Sequence, residues 1–127
     1  VAVDLIIRHN GKGRDGYDRG VYTARRFQRG ELISECPMLV WPRNVAADRF
    51  IGNYLWSWAD DAGRRYAREA LCLGIASLFN HSPRPNTGIR RLYDRDRMTF
   101  RALRRIEKGE EILIDYGVGA GHFEVRT

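Results

Sequence analysis

Apolar positions along this chain come in short bursts, several of them alternating with polar residues, a period-two pattern that predicts strands and little helix. Val1, Val3 and Leu5-Ile6-Ile7 read as a first strand. The stretch from Asn10 to Gly20 is too rich in glycine for regular structure and ends at the short β-type run Val21-Tyr22-Thr23-Ala24. From Ile33 the run through Cys36-Pro37-Met38-Leu39-Val40-Trp41-Pro42 is extended, with prolines that suit a strand end or sheet edge. The next region is less regular: a helical turn over 46–51, an aromatic strand at Tyr54-Leu55-Trp56-Ser57-Trp58, and a polar loop or short surface helix over 60–69. Ala70 to Ser77 is apolar and small-residued, long enough to lie in a core and to let other backbone approach closely. Gly88 to Tyr93 and Met98 to Leu103 flank a polar turn and predict a hairpin, and Ile112-Leu113-Ile114-Asp115-Tyr116-Gly117 ends the regular chain.

One pattern emerges only when the chain is compared with itself. Arg25-Arg26-Phe27-Gln28-Arg29-Gly30-Glu31-Leu32-Ile33 recurs as Arg104-Arg105-Ile106-Glu107-Lys108-Gly109-Glu110-Glu111-Ile112. In each copy a polar step and a glycine separate β-prone segments, which predicts a tight turn feeding a strand. The copies lie near opposite ends of the chain, so they are a reused unit and not a repeat array.

Composition narrows the class. A chain of 127 residues, 43% hydrophobic and 30% charged, reads as a single globular domain over 1–127. No apolar run reaches the roughly 20 residues of a membrane span, and the acid-bearing start lacks the basic lead of a signal peptide. The expected location is cytoplasmic, or nuclear in a eukaryote. Cys36 and Cys72 are far apart with no second pair at ligand spacing, so the expectation is two small buried residues and no metal site. The net charge of +6 is carried almost entirely by arginine, compatible with an acidic partner. Acids interleave with the arginine pairs, however, so the favoured reading is a genomic bias toward arginine over lysine, with these side chains on solvated faces.

The stretch Leu78-Phe79-Asn80-His81-Ser82-Pro83-Arg84-Pro85-Asn86 stands out chemically. Two prolines bracket Arg84 and fix φ on either side, so Asn80 and His81 are expected in a stiff irregular loop that could hold a ligand. The same residue types also make ordinary turns, with His81 as a hydrogen-bonded structural residue.

Three segments taken together settle the choice. Asp18-Arg19-Gly20-Val21-Tyr22-Thr23-Ala24 with Gly30-Glu31-Leu32-Ile33, the Asn80-His81-Ser82 and Pro85-Asn86 group, and Lys108 through Gly117 resemble, in order and approximate spacing, the SET-domain protein lysine methyltransferases. The resemblance covers about Tyr17 to Gly117. It implies a mainly β fold of the SET (β-clip) type: several small sheets, short helices, and a pseudoknot-like threading that brings the Asn-His segment to the final tyrosine. It further implies S-adenosylmethionine as cofactor, held by Asn80 and His81 with contacts from Asp18, Arg19 and Gly20 of the first loop. Tyr116 takes the position of the catalytic tyrosine, and Tyr54 that of a second channel tyrosine. The partner implied is a protein substrate with an exposed lysine, a histone among them, with no membrane and no requirement for nucleic acid.

Two departures accompany the resemblance. Asp18 replaces the first glycine of the usual Gly-x-Gly loop, which puts a carboxylate where the cofactor's own carboxylate is expected; Gly16 could take part in a rearranged loop. After Tyr116 no cysteine-rich zinc segment follows, as in compact viral and bacterial members, so His122 and Phe123 are the expected channel lid. Some such chains pair to complete their sites, and a homodimer is one expected assembly. The competing function is a catalytically silent SET-like module that binds a peptide or nucleic acid.

Overall fold

The computed structural model describes residues 4–11, 19–43, 49–52 and 54–116. Within them the chain runs β1 (Leu5–His9), β2 (Arg19–Thr23), β3 (Leu32–Pro42), α1 (Arg49–Gly52), β4 (Leu55–Trp58), β5 (Arg68–Cys72), a 3-10 turn (Ile75–Leu78), β6 (Asn80–His81), β7 (Thr87–Leu92), β8 (Arg97–Ala102) and β9 (Leu113–Ile114). The strands form three sheets: an antiparallel β1-β2 pair, a five-stranded sheet in the order β4-β5-β3-β8-β7, and a parallel β6-β9 pair. This is the mainly β chain that the alternating pattern predicts, arranged in the several small sheets that the resemblance implies.

Strand β3 is the axis of the large sheet because it changes partner along its length. Leu32 to Pro37 pair with β8, and Met38 to Pro42 pair with β5. Alternation decides what faces inward: Met98, Phe100 and Ala102 of β8 and Trp56 and Trp58 of β4 are buried while the residues between them are not. Phe79 and Phe100 meet edge to face at 5.2 Å between centroids, a favoured aromatic geometry, in a core shared with Phe27, Ile106, Ile112 and Ile114.

The two turn copies fold alike and pack on one another. Phe27 and Ile106 exchange backbone hydrogen bonds, each at 2.9 Å, and both side chains are fully buried. Gly30 and Gly109 take positive φ, +84° and +90°, which glycine tolerates without a steric penalty. Each glycine N–H then bonds the carbonyl that precedes the other copy, Gly30 to Ala102 (2.8 Å) and Gly109 to Thr23 (2.9 Å). The side chains repeat as well. Arg25 pairs with Glu31 at 2.6 Å and Arg104 with Glu110 at 2.9 Å, and each glutamate also caps a backbone N–H, of Gln28 and of Glu107. Those contacts hold both carboxyls below their ordinary range, the arginine hydrogen bond being the largest cause.

Several expectations change. The apolar run from Ala70 does not stay buried: β5 ends at Cys72, Leu73 is 52% exposed, and the chain turns at Gly74 into the 3-10 turn. Close approach is realised at one point, where a Cβ on Gly74 would come within 2.9 Å of the Cys36 Cβ. Cys36 and Cys72 are buried as expected, but they also join as a disulfide across β3 and β5. Sequence separation concealed this, since the antiparallel register sets Met38 opposite Cys72 and so places Cys36 on the same face nearby. Over 60–69 the chain makes turns and then enters β5, with no surface helix. The described part of the expected helical turn is α1, starting at Arg49.

Candidate active site

Residues far apart in the chain meet around the short β6-β9 pair. Asn80 and His81, expected in an irregular loop, form a strand beside Leu113 and Ile114; the stiff proline loop follows them instead of presenting them. Ser82 N donates to Ile114 O (2.9 Å) and Asn86 N to Leu113 O (3.2 Å). On the opposite side Thr23 N donates to Glu110 O (2.9 Å) and Ile112 N to Val21 O (2.7 Å). Residues 110–114 are thus laid between β2 and the 80–86 segment. That placement delivers Tyr116 to the Asn-His strand.

Asn86 pins this arrangement from within the core. Its amide donates to Glu111 O (2.8 Å) and accepts from Leu113 N (3.0 Å), so one buried side chain satisfies two backbone groups of the inserted segment. Asn80 has a different duty. Its Nδ2 donates to Arg19 O (2.7 Å) and to Glu111 Oε2 (2.8 Å), tying β6 to the first residue of β2 and to the final segment. Gly20 gives the Glu111 and Asn10 side-chain ends their room beside it, because a Cβ there would run into Glu111 Oε2 and lie 2.7 Å from Asn10 Nδ2.

Tyr116 is held at both ends. Its hydroxyl donates to Phe79 O (2.6 Å) and its backbone N–H donates to His81 Nδ1 (2.9 Å). Phe79 C=O therefore fixes the hydroxyl rotor. Accepting at Nδ1 makes Nε2 the protonated nitrogen of neutral His81; the nearby Asp115 carboxylate, 3.6 Å from Nδ1, would compete for that nitrogen only in the protonated ring. Trp56 stands edge-on to the Tyr116 ring at 6.5 Å and His81 lies 5.1 Å from it. Trp56 carries the Arg91 guanidinium 5.5 Å above its ring.

Tyr54 just precedes β4, and its hydroxyl accepts from Arg19 Nη2 (2.8 Å). Arg19 therefore links it to Asn80, so Arg19, Gly20, Tyr54, Asn80, His81 and Tyr116 belong to one contiguous cluster. Asp18 and Phe123, with Gly16 and His122, lie outside the described residues. Asn86 and Glu111 lie in the segments that carry the resemblance, but neither they nor Trp56 nor the Phe79 carbonyl were assigned a site role from sequence. A signal for Glu111 was present in the repeat: Glu110 aligns with Glu31 and shares its turn role, whereas Glu111 aligns with Leu32, so its carboxylate serves no turn.

The SET domain family profile matches residues 18–117, and the chain belongs to the SET-domain family of protein lysine methyltransferases. It is 24% identical over 103 residues to a histone-lysine N-methyltransferase specific for H3 lysine-37 from Schizosaccharomyces pombe, covering 78% of this chain and 66% of that protein. Among solved structures, one of a Plasmodium falciparum protein assigned as a histone methyltransferase superposes with a TM-score of 0.67 at 26% identity, over 91% of this chain and 98% of that one. The CpSET8 protein from Cryptosporidium superposes at 0.63 and 19% identity, over 90% of this chain and 57% of that one, which bears on the fold alone.

Proposed function

We propose that the chain transfers a methyl group from S-adenosylmethionine to the side-chain amine of a lysine in a protein substrate. The observation that carries this reading is the convergence of the Arg19-Gly20, Asn80-His81 and Tyr116 segments on one hydrogen-bonded cluster. The cluster suits the cofactor. Asn80 spends its N–H groups on protein acceptors and keeps a carbonyl oxygen for an ammonium. When bound, S-adenosylmethionine supplies a methyl group activated on a positively charged sulfur.

The chain's part is alignment and desolvation, since in-line displacement by an amine gains most from correct placement. A lysine with an ordinary pKa near 10.4 arrives as the ammonium and must give its proton to solvent before it can attack; a desolvated channel favours the neutral amine. Tyr116, its hydroxyl anchored by Phe79 O, is the residue that sets the geometry of the reacting centre. Tyr54 accepts from Arg19, which places its ring and oxygen beside the same cluster as a second wall for the lysine side chain. Trp56 and His81 wall the Tyr116 ring.

A histone tail is the substrate class we propose, supported by the relatives' names. Net charge of +6 opposes a basic tail, so local acids must attract it. Asp60, paired with Arg64 at 2.7 Å, the exposed Asp61, and Asp115, beside His81, are the acids proposed for this. The test is calorimetric binding of S-adenosylmethionine followed by labelled methyl transfer to histones and other basic proteins. Binding with transfer to lysine is expected. No binding and no transfer would leave a silent module.

A further inference from the structure

We propose that Glu111 is a positioning residue that acts through Asn80 to set cofactor affinity. The inference rests on the reading above, in which Asn80 faces S-adenosylmethionine. A side-chain amide presents an acceptor oxygen and a donor nitrogen, and rotation by half a turn exchanges them. Around Asn80 Nδ2 stand the Arg19 carbonyl at 2.7 Å and Glu111 Oε2 at 2.8 Å. Both can only accept. Flipping the amide would set Oδ1 against two acceptors, so the pair fixes one orientation and keeps Oδ1 as the group offered to an ammonium.

Glu111 is itself placed by neighbours. Asn10 Nδ2 donates to the same oxygen at 3.3 Å and to the Tyr22 hydroxyl at 2.9 Å, its backbone bridges Tyr22, and Asn86 holds its carbonyl. Gly20 leaves the room its carboxylate occupies. Turn chemistry does not require an acid here, because Glu110 already serves that purpose.

Reach and charge can be separated by two substitutions. Glu111→Gln keeps an oxygen at the same reach and loses the charge; Glu111→Asp keeps the charge and withdraws the oxygen by one methylene. Calorimetric Kd for S-adenosylmethionine is measured for the wild type and both variants, with Tm as a control and kcat at saturating cofactor. Glu111→Gln is expected within about threefold of wild-type Kd, and Glu111→Asp at least tenfold weaker, with kcat changed less than about twofold. Equal Kd for wild type and Glu111→Asp, or equal weakening by both variants, would overturn the proposal while leaving the methyltransferase reading intact. Wild-type protein that fails to bind the cofactor would overturn that reading first and this one with it.

Discussion

At the scale of single residues, the buried amide of Asn86 does more for the architecture than any charged group near it. Asn86→Ala leaves Leu113 N–H and Glu111 C=O without their side-chain partner, a cost of about 3 kcal/mol when two backbone groups are affected. Urea unfolding should register that loss. Asn86→Asp is expected to recover part of it, since an aspartate accepts from Leu113 N but cannot donate to Glu111 O. The residue scale is also where sequence reading reached furthest and stopped most abruptly. Asn80, His81 and Tyr116 were legible because their types and order match a family pattern, and the structure brings them together. Glu111 and the Phe79 carbonyl were not, because what each does depends on which group it faces across the fold. His81 shows the difference: in sequence it reads as a cofactor holder, whereas its imidazole Nδ1 here supports the Tyr116 backbone.

At the scale of elements, the paired turns behave as one unit. Gly30→Ala or Gly109→Ala meets open space but forces a side chain into positive φ, costing about 1 to 2 kcal/mol each. Thermal unfolding of the two single variants should show similar losses, because their turns share the same hydrogen-bond pattern. The glutamates of these turns add a pH dependence with a defined sign. Glu31 and Glu110 have folded pKa values depressed from the ordinary 4.5, so their contribution is present above that value and is lost as pH falls through the folded pKa. Both pairs are partly exposed and the effect is small. Stability of the double variant Glu31→Gln, Glu110→Gln, followed by urea between pH 7 and pH 3, should fall less steeply with acid than that of the wild type. The disulfide acts at this scale too. It closes a loop with sequence separation 36, and its reduction is expected to cost roughly 4 kcal/mol by chain entropy, readable as a drop in Tm with reductant. The strands were readable from alternation, and the turn copies from self-comparison. The Asn80-His81 strand was not, since a two-residue parallel pair has no periodicity and exists only because residues 113–114 arrive from the far end of the chain.

At the scale of the whole molecule, the fold serves to insert residues 110–116 between β2 and the 80–86 segment, so that a tyrosine from the far end of the described chain completes a cluster begun at Arg19. Sequence order signalled that meeting only through the family resemblance; no local rule contains it, because the contacts join positions about ninety residues apart. Net charge could not assign the substrate either, as a +6 chain attracts basic tails only through local acids such as Asp115. The cluster's central claim is that Tyr116 aligns the methyl transfer while others hold the cofactor. It is tested most directly by single-turnover transfer of labelled methyl from saturating S-adenosylmethionine to lysine in a histone substrate, comparing wild type with Tyr116→Phe. The expected result is transfer by the wild type and a loss of about a hundredfold or more in the variant, with cofactor Kd within threefold. Equal rates for the two proteins would contradict it.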